Sequence, residues 1–373
     1  MTDFLPSPVA AGWERTAPAE AGFDPARLAE ATAFAQAAES PWPMSLYYPD
    51  GRYVGIVEWN EKGPWSDIVG PVMPRGKPAG VILRGGRIVA DWGETARVDM
   101  TFSVAKSYLA VLAGIAFDDG LIALDEPVGR TVDDPHFAGP RNGRITWRHL
   151  LTQASEWQGE LFGKSDQVDH NRQIGPGADN SRKGDARELK EPGTHYEYND
   201  VRVNVLAYAL LLRFRRALPE VLKERIMDPI GASDTWRWNG YSTSWVEVDG
   251  QRIQSVPGGA HWGGGIVISA LDHARLGLLI ARGGRWGDRQ LLSQAYLAQM
   301  LAPSATNPDY GFLWWLNRGR KRYPHATEQS VFALGAGANL IWIAPELDLV
   351  AVARWMDQTA FDRFFGKVTA ALA

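Results

Sequence analysis

Thr101-Phe102-Ser103-Val104-Ala105-Lys106-Ser107 opens the most informative stretch of the chain. From Val104 to about Phe117 the residues are apolar nearly all round (Val104, Leu109, Val111, Leu112, Ile115, Phe117), the pattern of a helix buried on every side. Ser103 and Lys106 stand three apart, so they share one face at its N-terminal end. An ammonium group there opposes the helix dipole, and burying it without a partner is costly. Beside a serine hydroxyl the lysine has a use. It lowers the barrier to deprotonating Ser103, and the helix N-terminus favours the negative charge that develops. Ser103 is therefore the candidate nucleophile and Lys106 its activator.

Two later segments bear on the same chemistry. In Glu191-Pro192-Gly193-Thr194-His195-Tyr196-Glu197-Tyr198-Asn199-Asp200, Pro-Gly makes a turn, an aromatic loop follows, and a helix is predicted from about Val201 to Arg213. Tyr198 reads as a packing residue or, paired with a serine and a lysine, as the proton carrier. An adjacent ammonium favours charge on a phenol, which then serves as general base and later as acid toward the leaving group. Phe332-Ala333-Leu334-Gly335-Ala336-Gly337-Ala338-Asn339 alternates Gly and Ala. Such a strand either packs tightly or lets a ligand approach its backbone, and an exposed edge could offer an N–H to an oxyanion.

Working outward, Asp24-Pro25 starts a helix to about Ala38, with Asp24 as cap and Pro25 in the first turn. Val81-Ile82-Leu83 and Ile88-Val89-Ala90 flank Gly85-Gly86, which supplies the positive φ of a tight hairpin turn. A second hairpin joins Leu340–Ile343 to Leu349–Val352 through Pro345-Glu346-Leu347-Asp348, and a helical pattern covers 358–372. Both ends of the chain are thus expected in one sheet-containing lobe, residues 1–104 and 236–373, around a mostly helical lobe at 105–235. Residues 40–78, rich in Pro, Gly and Trp, resist assignment, and the polar, Gly-rich 164–192 reads as an exposed excursion.

The 373 residues are 45% hydrophobic and 22% charged, enough apolar material for a large core. The formal net charge of -4 and the lack of a basic block speak against nucleic acid as a partner. With no cysteine, disulfides, thiolate metal sites and a cysteine nucleophile are excluded. No secretory leader or membrane span is visible, so the expectation is a cytoplasmic protein without membrane association. Sixteen Trp either fill the core or line a pocket. There is no Gly-x-Ser-x-Gly elbow, and the seven histidines show no ligand spacing, so neither a metal nor a cofactor is expected. His195 and His261 are placed near a pocket mouth, with surface or packing roles preferred to catalysis for both.

Taken in this order, the three segments resemble the serine β-lactamase and penicillin-recognising family, in particular class C β-lactamases, family esterases and nylon-oligomer (aminohexanoate-dimer) hydrolases. Ser103-Val104-Ala105-Lys106 matches the family's Ser-x-x-Lys. Asp119–Val128, Ile145–Gln153, Met227–Gly231 and Gly263–Ile266 are similar as well. The resemblance runs from about residue 20 to the end. It implies an α+β, β-lactamase/transpeptidase-like fold: an antiparallel sheet flanked by helices, plus a mostly helical lobe, with the site between them. It further implies that Ser103 forms an acyl-enzyme resolved by water, that Lys106 and Tyr198 share the proton traffic, and that the N–H groups of Ser103 and Ala336 form the oxyanion hole. Gly335 and Trp157, the latter on a pocket loop in related enzymes, are expected as substrate support, with core packing as the alternative for Trp157.

Two departures shape the functional expectation. The family's Tyr-x-Asn reads Tyr198-Asn199-Asp200, so Asp200 either pairs with Lys106 or caps the following helix. The family's Lys-Thr-Gly is absent, with Ala333-Leu334-Gly335 nearby. Both changes remove groups that β-lactam substrates use. The expected activity is hydrolysis of a small ester or amide. A true β-lactamase or D-amino-acid peptidase is the nearest alternative, and a non-catalytic binding or scaffold protein the alternative of another class.

Overall fold

The computed structural model describes residues 4–8, 12–175 and 177–372. Helix α1 (Pro25–Ala37) starts where expected, with the Asp24 side chain accepting from the Ala26 and Arg27 N–H groups. Strands β1 (Ala79–Arg84) and β2 (Arg87–Trp92) form the first hairpin, and Gly85 and Gly86 take φ of 58° and 80° at its turn. Strand β3 (Asp99–Met100) leads into helix α2 (Val104–Asp118), then follows helix α3 (Asp200–Phe214). Strands β4 (Arg237–Asn239) and β5 (Gly265–Ile268) pair with each other, and β5 also pairs with β3, in a small second sheet.

Helix α4 (Ala270–Ala281) precedes the strands that complete the main sheet: β6 (Trp315–Leu316), β7 (Val331–Gly335), β8 (Asn339–Ala344) and β9 (Leu349–Arg354). Its order is β6-β7-β8-β9-β1-β2, antiparallel throughout. The β1–β9 pairing, Ala79 opposite Arg354 through Arg84 opposite Leu349, joins the two ends of the chain.

Alternation along β8 sorts the packing. Trp342 meets Phe365 of the terminal helix α5 (Phe361–Ala370), which also packs against α1. Ile341 and Ile343 face the other way, toward Gly277 of α4, where a side chain would lie 2.6 Å from the Val350 Cγ1. Six of the sixteen tryptophans (147, 157, 262, 314, 342 and 355) are among the largest fully buried side chains, so core filling is their main use. No helix among the described residues is long and apolar enough to cross a membrane.

The segment 164–192 corrects the sequence reading in part: most of the described residues from 173 to 192 are exposed or half-buried, as expected, but several of its charged residues are not. It has little regular structure, yet Lys164, Asp166, Asp169, His170, Arg172 and Lys183 are buried. Asp166, Asp169, Arg172 and Lys183 are ion-paired, with partners that include Glu61, Asp200 and Arg202, and Lys164 donates to the Trp65 and Asp67 carbonyls, so polarity does not mean exposure at these positions.

Candidate active site

Ser103 sits on a sharp strand-to-helix elbow. Thr101 is held by its N–H to the Ile266 carbonyl and by its hydroxyl to His273 Nε2 at 2.7 Å. Phe102 then takes φ of 49°, a left-handed conformation that costs a bulky residue about 1–3 kcal/mol. Packing holds it there, with Trp42 edge-on at 5.2 Å and Trp355 at 6.2 Å between ring centroids. The turn leaves Ser103 at the N-cap of α2, partly exposed, while residues 104–116 behind it are all buried.

The Lys106 ammonium is 1% exposed and all three of its protons have acceptors: Ser103 Oγ at 2.9 Å, the Gly258 carbonyl at 3.1 Å, and Asp200 Oδ1 in an ion pair. Burial works against the charge, but the Asp200 carboxylate outweighs it and raises the affinity of Lys106 for its proton. At rest Lys106 is a donor to Ser103. It can take the serine proton only after passing one of its own elsewhere.

Asp200 is the first residue of α3, and it is not the cap. Asn199 caps the helix by accepting from the Arg202 N–H, which frees the Asp200 side chain to point inward. Its carboxylate meets Lys106, Arg172 Nη1 at 2.7 Å and His261 Nδ1 at 3.2 Å. Burial opposes the carboxylate charge, and Lys106 and Arg172 with His261 still hold Asp200 well below the usual carboxylate range. Beyond it, Asp169 pairs with Arg172 and Lys183, and Glu61 pairs with Lys183 and His261. Asp169, Asp200 and His261 bring three potential metal ligands within 4.8 Å of one another. Lys106, Arg172 and Lys183 already neutralise these carboxylates, so the donor set does not suit a divalent cation.

Tyr198 reaches the same cluster. It is 4% exposed, with the Lys106 Nζ 4.8 Å and the Arg172 Cζ 5.2 Å from its ring centroid. Trp315 of β6 stacks on it at 6.1 Å. Its hydroxyl makes no hydrogen bond among the described residues, and none of the Lys106 protons is directed at it.

On the other side lies the β7–β8 turn. Strand β6 pairs only with Val331 and Phe332, so the edge of β7 beyond them stays open. Gly335 presses on the elbow so closely that a Cβ there would lie 2.2 Å from the Thr101 carbonyl oxygen and 3.2 Å from the Val104 nitrogen. The following Ala336 and Ser103 both have N–H groups without a hydrogen-bond partner among the described residues. At Gly337 the turn is braced by Trp355 and Trp42. Above the nucleophile, Gly259 leaves open space: a Cβ would be 3.4 Å from Lys106 Nζ and 3.6 Å from Ser103 Oγ.

Ser103, Lys106, Tyr198 and Asp200 thus converge, with Gly335 and Ala336 alongside. Trp157 does not join them. It is fully buried and donates from Nε1 to the His136 carbonyl at 2.8 Å, a core position that corrects its assignment as a substrate contact. Sequence reasoning missed Arg172, Glu61 and Gly259 and gave His261 a packing role. His261 stood beside a noted glycine run. Nothing local in the sequence marks Glu61, whose partners lie more than a hundred residues away.

The fold agrees with comparison to known proteins. Residues 79–364 match the sequence profile of the Beta-lactamase family, and the chain belongs to that family. Similar solved structures include a penicillin-binding protein homologue from Caulobacter crescentus (16% identity, 79% of this chain and 92% of that one, TM-score 0.57). A family VIII carboxylesterase gives 16%, 79% and 92%, and 0.56. A protein from Bacillus anthracis provisionally assigned as a 6-aminohexanoate-dimer hydrolase gives 17%, 79% and 78%, and 0.55. At such identities they establish the fold alone. No curated protein matched the chain in sequence.

Proposed function

We propose that the protein is a serine hydrolase that cleaves a small ester or amide through an acyl-enzyme on Ser103. The observation that carries this is the 2.9 Å hydrogen bond from a buried, fully coordinated Lys106 to a serine hydroxyl at a helix N-terminus. The lysine lowers the energy of a developing alkoxide, and the positive end of α2 adds to it. The free N–H groups of Ser103 and Ala336 suit the oxyanion of a tetrahedral intermediate. Because Asp200 holds Lys106 protonated, the first acceptor of the Ser103 proton is assigned to Tyr198 in its phenolate form, after the phenol has released its own proton to water, and the phenolate becomes a phenol as Ser103 attacks. That phenol then returns the proton to the leaving alcohol or amine, and water resolves the acyl-enzyme. Membership of a family of hydrolases supports this reading, as do neighbours described as a family VIII carboxylesterase and, provisionally, a 6-aminohexanoate-dimer hydrolase.

β-Lactam turnover fits less well. Asp200 offers an acceptor already engaged by three cations where an amide would offer a donor, and Ala333-Leu334-Gly335 carries no charge toward a substrate carboxylate. In the assay that tests the proposal, short p-nitrophenyl esters are hydrolysed, Ser103→Ala reduces kcat by about 10³-fold or more, and nitrocefin is turned over far more slowly than the esters. Ester hydrolysis undiminished in Ser103→Ala would contradict the mechanism. Nitrocefin turnover matching the esters would contradict the substrate class.

A further inference from the structure

The hydrogen bonds around Asp200 do not stop at Lys106. They continue as one buried file: Ser103 Oγ to Lys106 Nζ at 2.9 Å, Lys106 to Asp200 Oδ1, Asp200 Oδ2 to His261 Nδ1 at 3.2 Å, and His261 Nε2 to Glu61 Oε2 at 2.8 Å. Both ring nitrogens of His261 face carboxylate oxygens, which only accept, so the ring satisfies both contacts only as imidazolium. His261 is 2% exposed and lies between the rings of Trp59 and Trp262, out of contact with bulk water. Glu61, at the far end, lies before residue 79, outside the part of the chain that matches the family profile.

Resting on the assignment of Ser103 as nucleophile, we propose that His261 is a positioning residue. Its imidazolium, anchored by Glu61, shares the Asp200 carboxylate with Lys106 and so sets the pH at which the site becomes able to take up the Ser103 proton. A carboxylate serving Lys106 alone would bind that ammonium with its full field. Divided among Lys106, Arg172 and His261, it holds the lysine less tightly, and two further cations lie near the groups that must shed a proton. The other charged or titratable groups facing this file are Asp169, Lys183 and Lys164 on the 164–192 segment, Tyr198 ahead of α3 and Tyr241 after β4. Burial works against the charge on His261, while Glu61 and Asp200 bring its proton affinity above the ordinary imidazole value, in agreement with the geometry.

The test is the pH profile of kcat/KM for p-nitrophenyl acetate in wild type, Ser103→Ala and His261→Gln. Removing a cation makes neighbouring acids hold their protons more firmly. The acidic limb of His261→Gln is therefore expected about half a pH unit or more higher than in wild type. kcat should be about tenfold lower with KM within about twofold. A residue that only supported the fold would lower activity and the melting temperature without moving the limb. Should the variant not fold, histidine-labelled NMR of the wild-type protein decides instead: one of its seven histidines should remain doubly protonated at pH 7.5, and a neutral His261 there would overturn the proposal. An unmoved limb alongside an inactive Ser103→Ala removes the role of His261 alone. Hydrolysis that survives in Ser103→Ala removes the assignment of the nucleophile, and this inference with it.

Discussion

At the scale of single residues, the site is defined by what is small as much as by what is charged. Gly259 has no side chain where one would sit 3.6 Å from the Ser103 hydroxyl, 3.4 Å from the Lys106 ammonium and 3.8 Å from Asp200 Oδ1. These are ordinary van der Waals distances, so an alanine fits the folded protein. It would fill the space that an incoming carbonyl needs. Gly259→Ala is expected to leave the melting temperature within a few degrees of wild type and to lower kcat/KM for p-nitrophenyl acetate by about tenfold or more, since a small misplacement of the reacting atoms is costly. Unchanged kcat/KM would mean that substrate approaches from another side. Gly335 is a different case: a Cβ 2.2 Å from a backbone oxygen forces the turn away from the elbow, and loss of fold stability comes with loss of alignment.

At the scale of elements, a second ion cluster fixes the loop that delivers Tyr198 and Asp200. Glu156 sits in a turn at φ of 49° with its side chain fully buried. It accepts from Arg187 and from Arg202 of α3, and both arginines also hold Glu197, next to Tyr198. Burial alone would raise the Glu156 carboxyl; its bonds to Arg187 and the charge of Arg202 bring it down to about 2. A carboxyl whose affinity for protons is lower in the folded state stabilises the fold above its unfolded value, near 4.5, and loses that contribution as pH falls toward 2. Glu156→Gln is thus expected to cost about 2 kcal/mol or more at pH 7. The gap to wild type should narrow between pH 4.5 and 2 in urea unfolding followed at stepped pH. A gap independent of pH would show that packing, and not charge, accounts for the loss.

At the scale of the whole molecule, the features legible in the sequence are those with local causes. The Gly85-Gly86 hairpin, the Asp24-Pro25 helix start, the all-apolar helix behind Ser103 and the second hairpin all follow from residues within a few positions of one another. So does the Ser103–Lys106 pair. The electrostatics of the site were less legible, because they are made by distance in the chain. Glu61, Lys106, Arg172, Lys183, Asp200 and His261 come from segments spread over two hundred residues, and Glu61, Arg172 and Lys183 each read alone as a solvated charge. The 164–192 segment reads as exposed because it is polar, and much of it is, but Asp166, Asp169, Arg172 and Lys183 are buried in ion pairs. Trp157, set beside the pocket by the family resemblance, takes the alternative course and packs in the core. The stretch around Trp42 and Trp59, unassigned from sequence, proves to brace both the elbow and the ion cluster.

The central claim is that Ser103, and no other residue, carries the acyl group. Rapid-quench mass spectrometry during hydrolysis of a slow p-nitrophenyl ester measures this directly. The protein should gain the mass of one acyl group, with a stoichiometric burst of p-nitrophenol, and peptide mapping should place the group on Ser103. Replacing Lys106 by Met should slow its appearance. An acyl group mapped to a different residue, or steady turnover with no acylated species and full activity in Ser103→Ala, would contradict the account.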